Sequence, residues 1–115
     1  MVQKQSTTER TDQPIDTDNE TIIEVHTPGN PIVSLNIEAT AAASYALDVA
    51  PGADQTDPPA DADYFDAEET YDQAEMADAT DIRDTFVAGD GWLRIRVTEP
   101  AAADETADVT IQQAH

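Results

Sequence analysis

The chain has 115 residues, with 25 Asp and Glu against 5 Lys and Arg, a formal net charge of −20. Its length suits one domain, and its charge disfavours nucleic acid and anionic membrane surfaces as partners, because both are bound through Lys and Arg. The lack of cysteine excludes disulfides, thiolate metal sites and cysteine nucleophiles; the polar opening segment lacks the apolar stretch of a secretory signal, and no apolar run reaches the roughly 18 residues of a membrane span.

Residues 1–19 carry only Met1, Val2 and Ile15 as sizeable apolar groups and are expected to form an extended polar arm ahead of a domain over 20–115. Beyond them, short apolar segments alternate with turn clusters, the pattern of an all-β domain. The first strand is expected over 20–26, closed by Pro28-Gly29-Asn30-Pro31. Residues 31–38 alternate strictly, with Val33, Leu35 and Ile37 on the buried face and Ser34, Asn36 and Glu38 on the other. Residues 44–49 repeat this with Tyr45, Leu47 and Val49 inward and Asp48 toward water, and Pro51-Gly52 ends the strand. An acidic loop over 53–62 precedes a weaker strand over 64–71. A strand over 80–87 is joined through Gly89-Asp90-Gly91, read as a hairpin turn, to one over 92–98. In the latter Leu93, Ile95 and Val97 share the buried face, and Trp92, Arg94, Arg96 and Thr98 the other. A strand over 107–113, with Val109 and Ile111 inward, is the last.

Seven such strands predict an all-β fold, an antiparallel two-sheet β-sandwich, jelly-roll-like, of seven or eight strands with an extended polar N-terminal arm. A helix over 66–79 competes, since Ala, Glu, Gln and Met favour helices, but its apolar face is thin. Disorder competes too, because Leu, Ile, Val and Phe supply only 20 of 115 residues. Their alternating placement favours the folded reading.

The acidic excess is Asp-rich, 16 against 9 Glu, with one Lys, 19 Ala and 14 Thr, a composition that resembles halophilic proteins. Such a charge opposes compaction, and molar salt, with a Debye length of about 3 Å, removes most of that cost. The fold is therefore expected to require salt.

Asp54, Asp57, Asp61, Asp63, Asp66, Glu68 and Glu69 are dense enough to suggest a hard-cation site, with Asp61, Asp63 and Asp66 as candidate ligands. The stretch from Asp61 departs from the EF-hand pattern at its fifth and sixth positions, so a solvated loop holding Na, K, Mg or Ca loosely, with no dedicated cofactor, is the favoured reading. Nothing selects the carboxylate pair that glycoside hydrolysis needs. His26 and His115 read as surface residues, and no phosphate loop, G-x-S-x-G or H-E-x-x-H occurs. The chain is thus read as no enzyme. Among five cationic side chains, Arg83, Arg94 and Arg96 fall in expected strands. Beside Trp92 they are candidates for an interface anchor, against the alternative of cross-strand pairing with an acid such as Asp84.

Tyr45-Ala46-Leu47-Asp48-Val49, Tyr71, Asp81-Ile82-Arg83-Asp84-Thr85-Phe86, Trp92-Leu93-Arg94-Ile95-Arg96-Val97-Thr98, Ala101-Ala102-Ala103 and Thr106-Ala107-Asp108-Val109 follow one another at intervals. In this the chain resembles small β-sandwich proteins of tailed viruses that infect halophilic archaea, and of related phages. The resemblance implies a structural virion component, such as a capsid decoration, turret or tail accessory protein. The expectation is a non-enzymatic subunit on the capsid exterior, made in the cytoplasm of a halophilic host. It would assemble with its own copies, the major capsid protein or other virion subunits, through the arm and the Trp92, Arg94 and Arg96 face. The alternative is a carbohydrate-binding module that stacks Tyr64, Tyr71 and Trp92 on a cell-surface glycan.

Overall fold

The computed structural model describes residues 5–51, 58–60, 63–72 and 81–114. It contains eight strands: β1 (Gln5–Pro14), β2 (Thr21–Thr27), β3 (Ile32–Ala39), β4 (Ser44–Pro51), β5 (Phe65–Asp72), β6 (Asp81–Val87), β7 (Gly91–Glu99) and β8 (Thr106–Ala114). They form two four-stranded antiparallel sheets, ordered β1-β8-β3-β6 and β2-β7-β4-β5. Only β4 and β5 are consecutive and adjacent; every other connection crosses from one sheet to the other. Eight strands wound in this order make a jelly roll.

Alternation builds the core. Val33, Leu35 and Ile37 of β3 and Val109 and Ile111 of β8 face Tyr45 and Leu47 of β4 and Leu93, Ile95 and Val97 of β7, all buried. In β2 a register shift between Thr21 and Ile23 lets neighbouring Ile22 and Ile23 both enter the interior, where strict alternation would expose one. The seven strands expected from residue 20 onward are present with ends moved by one or two positions. Residues 65–72 are strand, and the rest of the helical alternative, 73–79, lies outside the described residues.

Two expectations change. Residues 5–14, read as an extended arm, instead pair with β8 from Gln5↔Ala114 to Pro14↔Thr106. An edge strand needs only backbone partners, so a polar segment can fill it; fully buried Ile15 fastens its end, donating its N–H to the Glu105 carbonyl and accepting from Ala101 N–H. The Gly89-Asp90-Gly91 link is no hairpin turn, because β6 and β7 lie in different sheets. Gly91 is required for a different reason. A Cβ there would sit 2.1 Å from the Ala50 carbonyl oxygen, so β4 and β7 can close up only around a residue without one. The link is fastened to the β2–β3 turn: Thr27 Oγ1 donates between the Gly89 and Gly91 carbonyls, 2.9 and 3.1 Å, and Gly29 N–H donates to Asp90 at 2.7 Å.

Candidate functional site

The chemistry-bearing residues of the second sheet lie on its outer face in cross-strand rows. Register places Glu24 (β2), Arg94 (β7) and Asp48 (β4) side by side, with His26, Trp92 and Ala50 in the next row. Asp48, expected to face water, is fully buried. It accepts from Arg94 Nε at 2.8 Å, and from Arg96 Nε at 2.9 Å and Nη2 at 3.3 Å. Arg96 Nη1 also donates to Asn19 Oδ1 at 2.8 Å, tying the β1–β2 connection to the sheet.

The covering element is the segment that leads into β5. Tyr64, immediately before β5, lies over β7 with its ring 4.2 Å from the Arg94 guanidinium carbon, a cation–π contact. Its hydroxyl donates to Glu24 of β2 at 2.7 Å. Tyr64 therefore reaches over the sheet from the β5 side to the opposite edge, and both it and Pro59 are buried. Burial above all, then the bond to Glu24, holds its phenol well above the usual tyrosine range. His26 and Trp92 stack with centroids 4.9 Å apart.

This arrangement settles where the interface candidates lie. Trp92 and Arg94 are buried within the chain and Arg96 is largely covered, so they do not form an open anchor face. Cross-strand pairing with an acid prevails for Arg94 and Arg96, and the acid is Asp48. Asp84 is instead on β6, where it accepts from Tyr71 of β5 at 2.7 Å and bridges the two sheets. Burial first, and then Asp84, raises the Tyr71 phenol above its ordinary value. Arg83 is exposed on the outer face of the first sheet, bonded to Asn36 and 3.5 Å from Glu38. Of the aromatics expected to stack on sugar, Tyr64 and Trp92 are buried together with Ala50 on the outer face of the second sheet, and Tyr71 is half-buried.

The three candidate metal ligands fall mostly outside what the structure describes. Asp63 is exposed, Asp61 lies outside the described residues, and Asp66 is described only through its backbone in β5. Among the described residues no three His, Asp or Glu converge as ligands. His115 also lies outside them.

Sequence reasoning missed the apolar end of the sandwich. A cleft of about 350 Å³ opens between the sheets there, bounded by Leu47, Val49 and Leu93 of the second sheet and by Phe86 and Ala88 across from them. Phe65 and Val87 stand at its mouth, 63% and 70% exposed, and Ile32, the register partner of Val87, is 48% exposed. Among the described lining residues the only carboxylate is that of Asp90, whose Oδ1 accepts from Gly29 N–H. Such a space accepts apolar groups and offers few polar anchors to orient a reacting substrate. Comparison with known protein families, with curated proteins and with solved structures returned no match.

Proposed function

We propose that this chain is a non-enzymatic structural subunit that works by assembly, on the exterior of a virus particle in a halophilic host, as a capsid decoration or turret component. The observation that carries the reading is the gathering of Phe65, Val87 and Ile32, the exposed large apolar side chains of the described chain, at one end of an otherwise carboxylate-rich sandwich. Exposed apolar surface gathered in one region marks contact sites, and the cleft lined by Phe65 and Val87 offers a recess for a partner's side chain. The jelly-roll strand order also fits, since it recurs in capsid and lectin domains, although a fold alone assigns no function. The polar groups that could have served chemistry, Asp48, Arg94, Arg96, Tyr64 and Glu24, bind one another instead. Contacts with sibling subunits or the major capsid protein pass through the apolar end and the N-terminal segment, and the acidic remainder keeps the particle hydrated and dispersed in brine.

The test is light scattering coupled to size exclusion in molar salt, on the parent chain and on a Phe65→Asp, Val87→Asp variant. The parent is expected to form closed oligomers or to bind particles, and the variant to remain a folded monomer by circular dichroism. A parent chain that stays monomeric and ignores particles would sink the proposal.

A further inference from the structure

We infer that β1 is an exchangeable strand, which leaves its own β8 and fills the same edge of β8 in a second copy of this chain. The inference deepens the assembly reading and rests on it, naming one joint by which copies are linked.

Four observations lead there. First, β1 carries no apolar side chain on either face before its last residue, Pro14. Register places Ser6, Thr8, Arg10 and Gln13 on the side of the inward β8 residues Gln113, Ile111, Val109 and Ala107, and none of the four is buried. The strand is held by backbone hydrogen bonds, each of small net worth against the entropy of ordering the chain. Second, strands polar on both faces specify their pairing weakly and are prone to exchange. Third, the pairing is already broken by a register shift between Arg10 and Gln13, with Asp12 in the left-handed region at φ 53°. Fourth, the segment that follows contains a joint. Asn19 is also left-handed, φ 64°, and from Asn19 onward the chain is anchored to β7 through Asn19 N–H to the Val97 carbonyl and through Arg96. The exchanging unit is thus residues 5–16, with Ile15 as the apolar knob that enters the core, Asp16 as the acceptor for Asp104 N–H and 17–18 as the hinge.

Exchange costs little in contacts, because the second copy offers the same β8 edge, the same Asp108 carboxylate for Asp12 N–H and the same pocket for Ile15. Its balance is set by concentration and by the freedom of the hinge. Molar salt assists by screening the repulsion between two chains of −20.

The chain has no cysteine, so engineered thiols report pairing without background. A Thr7→Cys chain carrying a mass tag is mixed with an untagged Gln112→Cys chain in molar salt and oxidised; the two positions are register partners. A second pair, Glu9→Cys with Thr110→Cys, covers a first pair whose geometry does not close, and both substitutions in one chain report the unexchanged form. The expected result is a covalent heterodimer whose share of the total chain rises about tenfold per tenfold in concentration while it is the minority species. Oligomers that persist with no interchain disulfide from either pair would overturn strand exchange and leave the assembly reading standing. A chain monomeric at every concentration would overturn strand exchange, and one that also ignores particles would overturn both.

Discussion

Removal of the Asp48 carboxylate is the most informative single perturbation of this fold. In Asp48→Ala the Arg94 and Arg96 side chains, 7% and 16% exposed, lose their shared anion and the three hydrogen bonds it accepts. Each bond to a charged group is worth about 1.5–3 kcal/mol, so a simple sum overstates the loss, since Arg96 keeps Asn19 and can turn toward water. Breaking a buried pair by deleting one partner costs about 3–5 kcal/mol, and that range is expected here. For a chain of this size it lowers the thermal midpoint by about 10–20 °C. The assay is unfolding followed by circular dichroism in molar salt, with Asp48→Leu, Arg94→Met, Arg96→Met as the companion. That triple change removes Asp48 and its two cationic partners together and should recover most of the loss. Because Asp48 is fully buried, the loss should persist at high salt, where the exposed Arg83–Glu38 pair contributes nothing measurable. An Asp48→Ala chain weakened by less than about 1 kcal/mol, the level of a surface pair, would refute the account of the ladder.

Alkaline pH tests the tyrosines. All three are raised, Tyr45 to about 12 by burial, and Tyr64 and Tyr71 also by burial and then by their carboxylate partners. Each folded phenol holds its proton more tightly than the unfolded one, so stability is complete below the ordinary value of 10.0 and is lost as pH rises from there through about 12. Tyrosinate absorbance should therefore appear together with unfolding in that window, and phenols that titrate at their ordinary value in a folded chain would contradict it. Tyr45→Phe removes a buried hydroxyl that has no hydrogen-bond partner among the described residues, and denaturant titration should find it neutral or stabilising. Gly91→Ala drives a Cβ against the Ala50 carbonyl and should cost about 1–3 kcal/mol, whereas Gly89→Ala meets nothing within 4 Å and should stay within about 0.5 kcal/mol. Equal effects of the two in thermal melts would refute the close-approach argument.

Seven of the eight strands were legible because short apolar segments recur between turn clusters, most plainly where apolar residues fill every second position, as in Val33, Leu35 and Ile37. β1 was not, since hydrophobic pattern reports burial, and an edge strand such as Ser6 to Gln13 needs only backbone partners. The Gly89-Asp90-Gly91 link looked like a hairpin because sequence shows proximity along the chain and not the sheet to which the next strand belongs. The ion-pair ladder left a readable trace: Asp48 stands between Ala46 and Ala50, on the same face parity as Arg94 and Arg96, and small neighbours give guanidinium groups room to close over it. What hid it was the assumption that the face lay open. Tyr64, which covers Arg94, comes from beyond a loop whose course no local pattern encodes.

The pairing of β1 with β8 also sets an order of events during synthesis. Asp12 and its partner Asp108 are 96 positions apart, so β1 leaves the ribosome long before the strand it binds exists. At about 5–20 residues per second, that interval is roughly 5–20 s. During it, β1 has no partner edge in its own chain.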